Sequence, residues 1–461
     1  MFMARRRRQA LVGAAVVAAL ALAGCSSSKG NTASPKASGS SSSSTAASAS
    51  TPASPSQDNT PVTITIGLFG TFGFKEAGLY DEYMKLHPNV TIKEDDVEQS
   101  ADYWTALQTK LAAGSGVDDI QGIEIGFVAD VLANHADQFV DFNKALGADA
   151  ASVKSSFYDW KWQMATTSDG KTLGLGTDAG PEAMCYRPDL FKQAGLPSDR
   201  ATLAQQWSTW DGFIKLGQQY MASPTKPKNS TFLDNPASIF SAAVYQGKEA
   251  YDTADGKPDY KNSDGVKTAW QFASTAAADG ITAGLAQFGP DWNKAFANGA
   301  FAAISCPAWM LGYITGQAGD AYKGKWDVAP LPGGAANWGG SWLGVPTASK
   351  HQAAAVALAE WLTAPAQQVK MFTSQAHFPS SKTAAEDPAV ASATSDYFNG
   401  APIGQIFNDS ATKLQMTPIG PFDTQIQQAI TNALGTIVTN HVKPDDAWKA
   451  ATAAADQAIG G

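Results

Sequence analysis

The chain has 461 residues, 33 Lys and Arg against 42 Asp and Glu, and a formal charge of −9. An acidic body with dispersed Lys and no Arg-rich strip argues against nucleic acid as a partner and makes anionic small molecules poor ligands. The length allows two domains of ordinary size, and the 13 Trp and 12 Tyr suit a neutral ligand with flat apolar faces and polar edges.

At the N-terminus Arg5, Arg6, Arg7 and Arg8 precede an apolar run over 10–23, interrupted by Gly13. This is the pattern of a secretory signal, and it is too short for a permanent membrane span. The run closes on Leu22-Ala23-Gly24-Cys25, which resembles the lipobox of bacterial lipoproteins. The resemblance implies a lipoprotein signal peptide over 1–24, cleavage before Cys25 and lipid on its thiol. The expected location is the extracellular face of the cell membrane, lipid-anchored. Loss of 1–24 removes four Arg and no acid, which lowers the formal charge to −13. Residues 25–61 are mostly Ser, Ala, Thr, Pro and Lys; with no large apolar side chain to bury, they read as a disordered tether.

Residues 62–69 alternate and are β-branched, which predicts a strand. A helix over 76–86 stops before Pro88, a strand follows over 90–93, and a helix over 102–113 ends at Gly114. A third strand over 119–125 and a third helix over 127–135 complete the pattern of a parallel α/β sheet. Ligands of such sheets sit beyond the strands' carboxyl ends, which places Gly73, Phe74, Glu124 and Gly126 near a rim. Further strands are expected at 172–178, 183–186, 301–305, 326–331 and 340–345. Helices are expected at 188–194, 203–221, 265–278, 291–298, 353–362 and 424–438. Trp207, Trp210 and Trp270 lie at helical spacing among apolar residues and read as core.

Enzyme chemistry finds little support. The His residues at 87, 135, 351, 377 and 441 have no metal-ligand spacing, and no Gly-x-Ser-x-Gly elbow occurs. Gly174-Leu-Gly-Thr-Asp-Ala-Gly180 places its third glycine one residue late for a dinucleotide loop. No catalytic residue, metal or cofactor is expected, and the chain has no phosphate-binding loop to supply ATP chemistry. The enzyme alternative is a surface glycoside hydrolase with Glu124 and Asp178 as its two carboxylates.

Several blocks in order resemble the family 1 extracellular solute-binding proteins, the receptors of carbohydrate ABC importers. They include Gly170-Lys-Thr-Leu-Gly-Leu, Met184-Cys-Tyr-Arg-Pro-Asp-Leu-Phe-Lys-Gln-Ala-Gly-Leu196 and Thr209-Trp-Asp-Gly-Phe213. Phe296-Ala-Asn-Gly-Ala-Phe, Val328-Ala-Pro-Leu-Pro-Gly333, Gly339-Gly-Ser-Trp-Leu-Gly-Val and Glu360-Trp-Leu-Thr-Ala-Pro continue the series. Within the family, Phe72-Gly-Phe-Lys-Glu-Ala-Gly-Leu-Tyr, Ser305-Cys-Pro-Ala-Trp-Met310 and Asn337-Trp-Gly-Gly-Ser-Trp342 resemble the actinobacterial cellobiose/cello-oligosaccharide-binding lipoproteins.

The resemblance implies an α/β, two-lobe periplasmic-binding-protein-like fold (type II, maltose-binding-protein-like) with a hinge of crossing strands. Lobe one is expected at 62–183 and 306–350, and lobe two at 184–305 and 351–461. The implied partners are an oligosaccharide and the ABC permease subunits, with the chain acting as a monomer. A xylo-, manno- or malto-oligosaccharide is the alternative ligand. Cys185 and Cys306 fall on the two implied crossings, so a disulfide across the hinge is one expectation and two buried thiols the other.

A neutral sugar needs aromatic faces and fixed hydrogen-bonding groups. Trp309, after a crossing strand, is expected to enter the cleft. Trp338 and Trp342 flank Gly339 and Gly340; one is expected on the sugar and the other in the core. Trp292 opens a short helix after Gly289-Pro290 and is expected to be exposed as a third platform. Asp178 and Glu124 are candidate hydroxyl acceptors or, alternatively, loop caps or partners in a hinge salt bridge. Phe74 and Lys75 lead into the first helix, whose free N–H groups are expected to meet sugar hydroxyls.

Overall fold

The computed structural model describes residues 60–460 except Asp255; the signal, Cys25 and the tether as far as Asn59 lie outside the described residues. Among these residues the strands are β1 (Val62–Phe69), β2 (Val90–Val97), β3 (Ile120–Glu124), β4 (Leu175–Gly176), β5 (Glu182–Tyr186), β6 (Thr231–Leu233), β7 (Phe301–Pro307), β8 (Asp327–Ala329) and β9 (Ser341–Gly344). They form two sheets, in the orders β2-β1-β3-β9-β4 and β6-β7-β5-β8.

The first sheet organises lobe one. Ile64, Ile66 and Leu68 of β1 are buried, and β1 pairs in parallel with β2 and β3. β2 is one edge, and its Lys93, Glu94, Asp95 and Asp96 discourage another strand from adding there. β9 runs antiparallel between β3 and β4, so the sheet is mixed where an all-parallel one is expected. The second sheet organises lobe two. β5 and β7 are buried along their whole length, as central strands covered on both faces must be.

Local signals explain most helix starts. Thr209, Asn235 and Ser263 each accept a hydrogen bond from a first-turn backbone N–H, and Pro188, Pro236 and Pro290 occupy first helical positions. The first helix spans Leu79–Leu86 and starts later than expected, because Gly78 at φ 73° holds the preceding chain in a turn.

Cys185 and Cys306 are joined by a disulfide, with Cα atoms 5.7 Å apart. Cys185 pairs with Ile304, and Cys306 with Ala183, so the bond runs diagonally between neighbouring strands. It therefore staples lobe two's own sheet and does not span the hinge, because β5 and β7 belong to that sheet throughout.

The expected lobe boundaries need two corrections. Within the 306–350 segment assigned to lobe one, β8 pairs with β5, and Met310–Ala318 packs with Phe296 and Trp326 in lobe two's core. Within the 351–461 segment assigned to lobe two, Ala355, Val356, Leu358, Ala359 and Leu362 pack on Ile64, Leu175 and Leu343 of lobe one. The helical stripe specifies that this face is buried; it carries no mark of which sheet buries it.

Candidate functional site

A cavity of about 210 Å³ opens between the lobes. Lobe one supplies Glu124, the first turn of the helix Ile125–Asn134, Trp160 and Met164. Lobe two supplies Ser241, Tyr245 and the first turn of the helix Asp423–Asn440. Asn337, Trp338 and Gly339 of a crossing segment and the loop over 414–420 complete the lining. The two walls meet where the Thr424 hydroxyl donates to the Gly126 carbonyl at 2.8 Å.

Trp338 is fixed by its backbone. Its N–H donates to the Gly180 carbonyl (2.8 Å), and its carbonyl accepts from Trp309 Nε1 (2.9 Å). Asn337 accepts from the Gly180 N–H at 3.0 Å and donates to the Gly339 carbonyl at 3.0 Å. A Cβ on Gly180 would lie 2.0 Å from the Trp338 carbonyl, so the two crossing segments can pack backbone to backbone because that side chain is absent.

Charge is concentrated behind this segment. The Lys161 side chain is buried, and its Nζ sits 3.2 Å over the Trp342 ring without a hydrogen-bond partner. Burial lowers its pKa to about 7, against the attraction of Asp178 and Glu124. Glu124 is raised to about 7 by desolvation, while the Gly126 N–H (2.7 Å) and Lys161 favour its charged form. Asp178 accepts from the Ser341 N–H at 2.9 Å and the Thr177 hydroxyl at 2.7 Å. On the opposite wall burial and the neighbouring Asp252 carboxyl push Asp423 well up. Among the described residues no cluster of three or more His, Cys, Asp or Glu is placed to hold a metal ion. No described helix is long and apolar enough to cross a membrane.

The residues singled out from the sequence divide. Trp338 and Glu124 line the cavity. Trp309 does not; it buttresses Trp338. Trp342 is core, packed beneath Lys161, and its face is unrelated to that of Trp338 because Gly339 and Gly340 at φ 99° and 97° interrupt the strand. The expectation of Trp292 as an exposed platform is corrected: it is fully buried, and its Nε1 donates to Asp234 at 2.9 Å. Phe74 is also core, Lys75 is exposed outside the cavity, and Asp178 stands behind it as a loop brace. Trp160, Tyr245, Asp423 and Gln427 also line the cavity and carry no local motif that singles them out. Trp160 lies on the helix Asp159–Gln163, too short to show periodicity.

Two mixed sheets in separate lobes, a crossing hinge and an inter-lobe cavity define the type II, MalE-like binding-protein class. A profile of the bacterial extracellular solute-binding protein family matches residues 78–397, and the chain belongs to that family. A solved extracellular solute-binding protein of family 1 is 41% identical, with a TM-score of 0.78 over 86% of this chain and 100% of the other. The ABC transporter-associated binding protein of B. animalis subsp. lactis Bl-04, solved with β-1,6-galactobiose, is 22% identical (TM-score 0.69, covering 85% and 96%). The sugar-binding protein MalE of Xanthomonas citri is 17% identical (TM-score 0.68, covering 86% and 98%). At these last two identities the likeness is one of fold. No curated protein sequence matches the chain.

Proposed function

We propose that the chain is the lipid-anchored substrate-binding component of a carbohydrate ABC importer. It takes cellobiose or a cello-oligosaccharide into the inter-lobe cavity and delivers it to the permease, as a monomer held by Cys25. The observation that carries this reading is the cavity itself, with the aromatic rings of Trp338 and Trp160 beside the polar groups of Glu124, Thr424 and Gln427. Flat faces suit the C–H surface of a neutral sugar, and fixed polar groups suit its hydroxyls. A ligand touching both walls favours the closed arrangement, which the permease then reads. The β-1,6-galactobiose bound by the B. animalis subsp. lactis protein supports a sugar as the ligand class. The cello-oligosaccharide assignment rests on the blocks around Phe72, Trp309 and Trp338.

Calorimetry against cellobiose, cellotriose, xylobiose, mannobiose and maltose tests the reading. Saturable binding without turnover is expected, tightest for the cello-oligosaccharides. Trp338→Ala should weaken it about tenfold, the equivalent of about 1.4 kcal/mol of stacking. Unchanged affinity would remove Trp338 from the site, and released monosaccharide would favour the hydrolase alternative. Labelled fatty acid should mark the protein and be lost in Cys25→Ala.

A further inference from the structure

Phe288 is 49% exposed and adopts φ 63°, a left-handed backbone conformation that a bulky residue rarely takes. Both features are unfavourable, yet its surroundings hold it there. Gln287 donates to Asp234 (3.2 Å) and to the Ser238 hydroxyl (3.0 Å), and on the other side Gly289 leads into the helix Pro290–Asn298. The ring is set among four aromatic neighbours. Trp292 lies 5.1 Å away, Tyr313 5.7 Å, Trp338 6.3 Å and Trp309 6.4 Å, centre to centre. Three of these are pinned in turn: Trp292 to Asp234, Tyr313 to Asn293 and Trp309 to the Trp338 carbonyl. Backbone strain of this kind persists only where the surrounding structure over-determines it, and it clusters at ligand sites.

Phe288 lies outside the cavity lining, one ring away from it. Trp338 lines the cavity and meets the Phe288 ring edge-on. The Phe288 and Trp309 rings lie within 18° of parallel. We infer that Phe288, backed by Trp309, is an outer sugar-stacking platform, and that the ligand is an oligosaccharide of three or more units. Its inner units fill the cavity against Trp338, and a later unit lays its C–H face on the open side of Phe288. This rests on the sugar-receptor reading and adds to it a ligand length and a residue that sets it.

The test is calorimetry of the mature chain with di-, tri- and tetrasaccharides of the cello-, xylo-, manno- and malto- series. In the series that the wild type binds, affinity should rise with length. Phe288→Ala and Phe288→Gly should lose about fivefold to tenfold on the tetrasaccharide while staying within twofold on the disaccharide. Phe288→Trp should retain the gain. Glycine accepts the left-handed conformation, which offsets part of the lost ring contacts, so Phe288→Gly should still unfold cooperatively and keep its disaccharide affinity, which separates loss of the ring from loss of the fold. Equal length dependence in wild type and both truncations overturns the platform, as does a wild type with no gain beyond the disaccharide. A wild type that binds no member of any series overturns the sugar reading and the platform with it.

Discussion

Glu182 opens β5 where the crossing segment enters lobe two. It is 1% exposed, and neither carboxyl oxygen has a hydrogen-bond partner among the described residues. The nearby Ser305 hydroxyl is donated to the Ser238 carbonyl instead. Burial therefore raises the carboxyl from 4.5 to about 8. The folded state holds this proton more tightly than the unfolded chain does. Its contribution to stability is fully present below the unfolded value and is lost as pH rises toward and through the folded one. At pH 7 the unfolded chain has released the proton and the folded chain has mostly kept it, a difference of about 3 kcal/mol. Glu182→Gln keeps the shape and removes the titration. Urea unfolding of both proteins at pH 4.5 and 7.5 should show the variant gaining about 3 kcal/mol on the wild type across that interval. Parallel stability curves would mean that the carboxyl is ionised in the fold through a partner, and the argument from burial would fail.

Three further outcomes are expected. Replacing Cys185 and Cys306 together by Ala opens a loop of 121 residues and should cost about 2–5 kcal/mol in urea unfolding; denatured, unreduced wild type should show no free thiol from this pair. Gly180→Ala pushes a methyl into the Trp338 carbonyl and should destabilise by about 3 kcal/mol, with a parallel loss of sugar affinity as Trp338 shifts. Trp292→Phe removes one hydrogen bond to the buried Asp234 and should cost about 1–2 kcal/mol in stability while leaving calorimetric affinity for the disaccharide unchanged; weakened disaccharide binding would return Trp292 to the cavity.

Much of the fold can be read along the chain because it rests on local physics. The alternation of Val62–Phe69, the helix ending at Gly114 and the prolines that open three helices each act within a few residues. Lobe membership cannot be read that way. Asp327–Ala329 and Ser341–Gly344 are similar short strands fourteen residues apart in start, yet they join different sheets. The site is legible only in part for the same reason. Trp338 is betrayed by its two glycines, whereas Trp292 resembles a surface residue until Asp234, 58 positions earlier, is seen to receive its indole N–H. Tyr245 and Gln427 become neighbours of Glu124 only when the lobes come together.

The place of β9 in the first sheet has a consequence for how the chain acquires its structure. β9 lies between β3 and β4, yet it is supplied by Ser341–Gly344, long after the strands it joins. While the chain grows from its N-terminus, β3 and β4 have no partner between them until that segment has been made. The far edge of β3 stays open until then, and the pairing that closes it joins residues more than 160 positions apart. Late, long-range closure slows folding and leaves bare strand edges in the meantime. The nascent protein therefore carries an unpaired strand edge for longer than one whose lobes were each a single stretch of sequence.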